Sequence, residues 1–508
     1  MKTVLHLIYV LWTGEGMWWW VKPWLPWLFR IPVVFWVLRL IYRIYWAPPN
    51  PRVEYVRGSR LIEHRWVGLR RRLGAKWQLR IAGVAWPWGL ESLHLLVSGA
   101  TGAGKSQTIH GTLGTLRVRG DAAIITDIGS EALRGFGQPS DVILNPLDAR
   151  SAAWSPFADM ESAADAERLA KSMIPDHEGA EREWFIYSQV LVAATLRRLW
   201  ERGEATNGAL LHALTLATPS ELKDLVQGLP AQALFHEGAE KMLASVRGIV
   251  GSYLAPYSYL PTEAGAKSWS IRRHVREGKG WLWLSYREDQ AAALRPLLAA
   301  WIGEAVNAAL SLPPNRARRH WLLLDEVASL GRVQGLSDAL TKGRKYGLCA
   351  MMGLQSISQL RDVYGKDGAQ TLLSCLSSQL LLRANDPETA EYASLSLGEA
   401  EVLRESISTG QHRTVTEQHH IERLVLASQL QGLPNRVGYL RLAGEDVVRR
   451  VSVPLVQREA RIEAFVPRTL SAEAITPALA TSVSPGVRRP ALDADAILIA
   501  SRHNCDLK

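Results

Sequence analysis

The chain has 508 residues, 47% of them hydrophobic and 21% charged, with a formal net charge of +10. That length allows one large α/β domain with an insertion, or roughly two to three ordinary domains, and the basic surplus favours an anionic partner, either nucleic acid or a membrane surface. Three cysteines, Cys349, Cys375 and Cys505, are too few and too scattered for a disulfide framework or a cysteine metal site, so the main body reads as cytosolic.

Residues 1–46 are dominated by Leu, Val, Ile and Trp. A membrane span needs roughly 20 mainly apolar residues. Thr3 to Val21, interrupted by Glu15, is long enough. So is Trp24 to Trp46, which carries Arg30, Arg39 and Arg43. Lys22-Pro23 makes a turn between them, crowded by Trp18, Trp19, Trp20, Trp24 and Trp27. Indole rings suit the headgroup interface, so a two-helix transmembrane hairpin is expected. A basic run from Arg52 to Arg80 follows, opposed only by Glu54 and Glu63. This positive-inside signal makes 47–92 a basic juxtamembrane segment on the cytosolic side, leading into the main domain.

Strand-like apolar runs then appear at Leu93–Ser98, Ala122–Thr126 and Val142–Leu144. From about 159 to 267 they give way to helical patterns such as Glu183–Trp200 and Ser220–Leu229. Strand signals return at Trp281–Ser285, Trp321–Leu324, Leu348–Gly353 and Gln379–Leu382, separated by helical stretches such as Ala291–Leu312. Alternating strands and helices predict an α/β fold with a mainly parallel sheet covered on both faces. The helical block reads as an all-α insertion at 159–267, between parts of a domain at 93–158 and 268–460. Val437–Leu442 and Val447–Pro454 bracket a turn and read as a β-hairpin. His412, His419 and His420 read as solvated loop or helix-face residues rather than metal ligands. Residues 461–508, rich in Ala, Ser, Pro and Arg, read as a flexible tail.

Gly99-Ala100-Thr101-Gly102-Ala103-Gly104-Lys105-Ser106 matches the phosphate-loop pattern G-x-x-x-x-G-K-[ST], between a strand and a helix-compatible run. Backbone N–H groups from Gly99 to Gln107 are expected to close around phosphates at a helix N-terminus. Lys105 is expected to reach the β- and γ-phosphates of ATP, and the Ser106 hydroxyl to ligate Mg²⁺. Trp321 to Glu326 is an apolar strand ending in two acids. It delivers Asp325 to the metal side, with Glu326 as general base for the attacking water. Gln355, after the next strand, is a candidate for positioning that water, or a polar helix cap. Lys342, Arg344 and Lys345 are candidates for an arginine finger across a subunit boundary, for DNA phosphate contacts, or for a solvated face.

The order of parts, the segment Asn145-Pro146-Leu147-Asp148-Ala149-Arg150-Ser151 running on to Trp154-Ser155-Pro156-Phe157, and Asp325 to Gly331 with Gly353-Leu354-Gln355-Ser356 downstream resemble the type IV secretion coupling proteins. These are the TrwB/TraD-like branch of the FtsK/HerA motors, and the resemblance covers roughly residues 1–460. It implies a P-loop, RecA-like ATPase assembled as a homo-hexamer at the bacterial inner membrane, with the ATPase domain in the cytoplasm. It implies non-specific DNA, a relaxase or relaxosome and type IV secretion channel subunits as partners, and pumping of DNA during conjugation. Within the resemblance Arg344 matches the arginine finger and Gln355 the sensor glutamine. The competing readings are an FtsK-like segregation translocase and a secretion ATPase that energises channel assembly or protein export.

Overall fold

In the parallel strands, successive residues belong to opposite cores. In the strand Leu95–Ser98, Leu96 joins a core on one face of the sheet, while Leu95 and Val97 join the core on the other. The same alternation runs through Leu348–Leu354, where Ala350 and Met352 face one way and Cys349 and Met351 the other. A strand buried on both faces has no polar side, which explains the near-continuous apolar runs in the sequence.

The computed structural model describes residues 35–36, 53–63, 77–409 and 413–469. Its strands are β1 (Val53–Gly58), β2 (Arg60–Glu63), β3 (Arg80–Ile81), β4 (Val84–Ala85), β5 (Leu95–Ser98), β6 (Ala122–Ile128), β7 (Val142–Ile143) and β8 (Trp281–Tyr286). They continue as β9 (His320–Leu324), β10 (Leu348–Leu354), β11 (Ser378–Leu382), β12 (Glu399–Thr409), β13 (Arg413–Arg423), β14 (Val437–Arg441) and β15 (Val447–Ser452). The main sheet has ten strands in the order β2-β15-β14-β11-β5-β10-β9-β6-β8-β7. From β11 to β7 every pairing is parallel, as expected. The expected hairpin, β14–β15, adds antiparallel to β11, and β2 closes the edge parallel to β15.

Between β7 and β8 the chain is helical, including Asp165–Met173, Arg182–Glu201 and Glu240–Leu254. This helical block shares one continuous hydrophobic core with a face of the sheet, through the helix Ala291–Leu310. A buried charge cluster joins them. Asp159 accepts hydrogen bonds from the Trp154 indole at 2.7 Å, Ser270 Oγ at 2.6 Å and the Arg272 N–H at 2.8 Å. Glu304, on the Ala291–Leu310 helix, is ion-paired to Arg168 of the helical block.

Several expectations need correcting. His419 and His420 stand on strand β13, not on a loop or helix, and His419 pairs with Glu401 at 3.0 Å. Strand β13 belongs to a separate three-stranded sheet, β1-β12-β13. Among the described residues no group of three or more His, Cys, Asp or Glu side chains is arranged to hold a metal ion. Residues 461–468, expected within the flexible tail, are tied down by main-chain hydrogen bonds. The Arg461 N–H donates to Arg134 O at 2.9 Å, the Ala149 N–H to Val466 O at 2.8 Å, and the Arg468 N–H to Leu147 O at 2.9 Å. The expected membrane hairpin lies outside the described residues apart from Phe35 and Trp36, as do His412 and much of the basic run after it. Among the described residues no helix is long and apolar enough to cross a membrane.

Candidate nucleotide site

The parallel strands deliver the expected residues to one end of the sheet. Ser98 at the end of β5 lies opposite Leu354 of β10, and Met352 of β10 lies opposite Leu324 of β9. The loop after β5 therefore faces the acids after β9 and the glutamine after β10. Together they line a cavity of about 820 Å³ that includes Gly102, Lys105, Ser106, Asp325, Glu326 and Gln355.

Glycine is required in the loop itself. Gly102 and Gly104 hold φ values of 73° and 115°, which side chains with a Cβ rarely adopt. The helix Lys105–Arg119 follows with Gly104 as its N-cap and no side chain capping it. Its first-turn N–H groups and its dipole are left for an anion.

Lys105 Nζ donates to Gly99 O at 2.8 Å and lies 3.8 Å from Glu326 Oε2. Ser106 Oγ donates to both Asp325 carboxylate oxygens, at 3.1 and 2.9 Å. A hydroxyl and a carboxylate brought together in this way form an oxygen donor set suited to Mg²⁺. The Glu326 carboxylate accepts the Gln355 N–H at 3.3 Å. Burial pushes Glu326 up to about 7, against the opposing pull of Lys105. Burial also raises Asp325, against its hydrogen bond from Ser106. The cavity therefore suits a nucleotide triphosphate with its metal, with a carboxylate poised near neutral pH beside it.

A family model for the type IV secretion-system coupling protein DNA-binding domain matches residues 78–454. The chain belongs to the type IV secretion-system coupling protein family. Coupling protein TraD of Escherichia coli (strain K12) is 29% identical over 403 residues, which is 75% of this chain and 55% of TraD. Protein VirD4 of Rhizobium rhizogenes is 25% identical over 405 residues, 73% of this chain and 58% of VirD4. The chain thus spans little more than half the length of these relatives. The solved structure of the bacterial conjugative coupling protein TrwBdeltaN70, in its unbound form, matches with a TM-score of 0.75 at 37% identity, over 83% of this chain and 98% of that one. Structures of TrwB with the non-hydrolysable ATP analogue ADPNP and with ADP and Mg²⁺ match with TM-scores of 0.73.

Against this family's expected residues, Arg344 stands apart. It lies in the turn Gly343–Tyr346, exposed, before β10 begins, whereas Gln355 follows the end of β10. A strand of this length spans roughly 20 Å. Arg344 is not among the residues lining its own chain's cavity. A finger role for it in this family member therefore requires a neighbouring subunit.

Four contributors escaped the sequence reading. Thr126 Oγ1 accepts the Asp325 N–H at 3.1 Å and so fixes the end of β9. At Gly353 a Cβ would fall 1.7 Å from Asp325 O, so only glycine lets β10 pass the metal-side acid. Arg295 and Arg436 line the cavity as cations from outside the motifs. Neither sits in a recognisable pattern, because single arginines on a helix and in a loop carry no spacing signal.

Proposed function

We propose that this chain is the ATPase subunit of a conjugative coupling complex. In this reading it is a homo-hexamer anchored in the bacterial inner membrane, with the ATPase domain in the cytoplasm. It links relaxase-bound DNA to a type IV secretion channel and pumps that DNA with ATP. The observation that carries the reading is the joining of the Lys105–Ser106 loop with Asp325, Glu326 and Gln355 in one cavity. It lies inside a segment matched to a coupling protein DNA-binding domain. The relatives' names add support: TraD is a coupling protein, and TrwB has been solved with ADPNP and with ADP and Mg²⁺.

The chemistry follows from the side chains. The N–H groups between Gly99 and Gln107 hold the phosphates, and Lys105 turns from Gly99 O to the β- and γ-phosphates. Ser106 and Asp325 hold Mg²⁺, which neutralises charge on the phosphates. Glu326 accepts a proton from the attacking water, and its raised pKa makes it a stronger base than an ordinary carboxylate while leaving much of it ionised near pH 7. Gln355 orients the water from the end of β10. Arg344 of one subunit stabilises transition-state charge in the next, since it is too far from its own cavity. The net positive charge supports phosphate-dominated, non-specific DNA binding that weakens steeply with salt.

The test is plasmid transfer from donor cells lacking the gene for this chain. The intact chain is expected to restore transfer and the Lys105→Ala variant to fail while reaching the same cellular level. Equal transfer by both would overturn the motor reading.

A further inference from the structure

His94 is buried, and it is not among the residues that line the nucleotide cavity. It stands immediately before β5, at the end of that strand opposite the phosphate loop. Its φ is 61°, in the left-handed region, which a residue with a Cβ keeps only where its surroundings enforce it.

Both ring nitrogens are engaged. The Ala350 N–H donates to His94 Nδ1 at 3.0 Å, one residue before Met351 pairs with Leu95 in the sheet. Nδ1 therefore carries no proton. Burial pushes the ring's pKa down to about 4, so the imidazole is neutral and its one proton sits on Nε2. The Nε2–H donates to Leu340 O at 3.0 Å. The main chain braces the ring as well: the His94 N–H donates to Glu91 O and the Ser378 N–H to His94 O, each at 3.2 Å.

Leu340 lies in the last turn of the helix Leu336–Lys342, where carbonyls fall outside the helix's own ladder. The chain runs directly on into the turn Gly343–Tyr346 that carries Arg344. The far side of this turn is fastened too. The Asn315 N–H donates to Lys345 O at 2.8 Å, and the His320 N–H to Gly347 O at 3.0 Å. Gly347, at φ 82°, passes so close to its neighbour that a Cβ there would collide with Arg318 O. On this pinned backbone the Arg344 side chain is exposed, and among the described residues its guanidinium has no hydrogen-bond or ion-pair partner. A cation with a fixed base and a free head suits delivery to a neighbouring subunit, where a misplacement of about 1 Å can cost roughly a hundredfold in rate.

We propose that His94 is a positioning residue for Arg344: its Nε2–H bond to Leu340 O sets where the turn presents the guanidinium to the next subunit's ATP site. This rests on the reading of Arg344 as a finger acting across a subunit boundary. Strand β5 then serves two sites, carrying the phosphate loop of its own at one end and the anchor of the finger it lends at the other.

Two amide side chains separate the two ring bonds. An Asn oxygen reaches about where Nδ1 sits, so it keeps the Ala350 bond and gives up Leu340 O. A Gln amide nitrogen reaches about where Nε2 sits, so it keeps Leu340 O. ATP turnover of the full chain is measured for His94→Asn and His94→Gln, each alone and mixed with Arg344→Ala or with Lys105→Ala subunits. His94→Asn is expected to lose about a hundredfold in kcat with KM kept within about twofold. Lys105→Ala subunits, whose fingers are sound, are expected to restore part of the turnover on mixing, and Arg344→Ala subunits to restore none. His94→Gln is expected to stay within about threefold of the unaltered chain. Full turnover by His94→Asn would overturn the role, as would an equal loss in His94→Gln or recovery on mixing with Arg344→Ala. Recovery with neither partner marks a folding defect and overturns it too. Failure of the underlying finger reading looks different: Arg344→Ala and Lys105→Ala subunits would then not complement each other.

Discussion

Two clusters of charged side chains in this molecule have opposite characters. At the junction of the helical block and the sheet, Asp159 accepts three hydrogen bonds and Glu304 is paired with Arg168. At the strand ends, Lys105 spends its hydrogen bond on a main-chain carbonyl and stands 3.8 Å from Glu326. Arg295 and Arg436 face the same cavity. Inside a protein, charges that meet one another hold structure together, whereas donors left facing open space await a ligand. The first cluster meets most of its partners within the chain, with Glu304 Oε1 left without a hydrogen bond, whereas the second is open to a ligand such as a nucleotide.

The sharpest way to break this contrast is at the strand ends. Arg344→Ala is expected to lower the turnover of the assembled ATPase by about a thousandfold or more, the usual worth of an arginine finger. Mixing it with Lys105→Ala subunits is expected to restore part of the turnover, because each variant supplies what the other lacks. No recovery on mixing would place the two defects in one subunit. Glu326→Gln is expected to cost about a hundredfold or more in kcat while ADP affinity is kept, as measured by steady-state kinetics and calorimetry.

The junction is expected to respond in the opposite sense. Arg168→Ala leaves the Glu304 carboxylate buried with its near partner gone, which costs about 3 kcal/mol of stability in denaturant unfolding. ADP affinity of the folded variant stays unchanged. Replacing both Arg168 and Glu304 with Met is expected to recover most of that loss, since an apolar pair needs no desolvation offset.

The smallest effect is on pH. Burial lifts Glu326 to about 7, so kcat/KM for ATP is expected to climb as pH rises to about 7 and then level off. The stability linkage has the opposite sign. A carboxyl with a raised folded pKa contributes stability below its ordinary value, and that contribution is lost as pH rises through about 7. Urea unfolding of Glu326→Gln is expected to depend less on pH across this window than that of the unaltered chain.

How much of this was legible in the sequence differs between the same two regions. The strand-end site was readable because its chemistry fixes residue types at fixed spacing: the glycines with Lys105 and Ser106, and the acids Asp325 and Glu326 after an apolar strand. The buried strands were readable because both faces are apolar. Strand β13, by contrast, carries Arg413, Glu417, His419, His420 and Arg423, so no apolar face announced it. The segment from 453 to 468 has no periodic pattern either. Its order comes from its main-chain N–H groups bonding the Gln107 side chain and the Arg134 and Leu147 carbonyls, far away in sequence. Gly353 entered the sequence reading only as part of the family resemblance, and its role appears when Asp325 O is beside it. Contacts set by tertiary structure leave no local signature.

ATP hydrolysis by the full chain, followed as DNA is titrated in at low and at raised salt, tests the central claim most directly. The coupling-motor reading predicts turnover that DNA stimulates, that raised salt uncouples from DNA, and that Lys105→Ala abolishes. Turnover indifferent to DNA at either salt would contradict it.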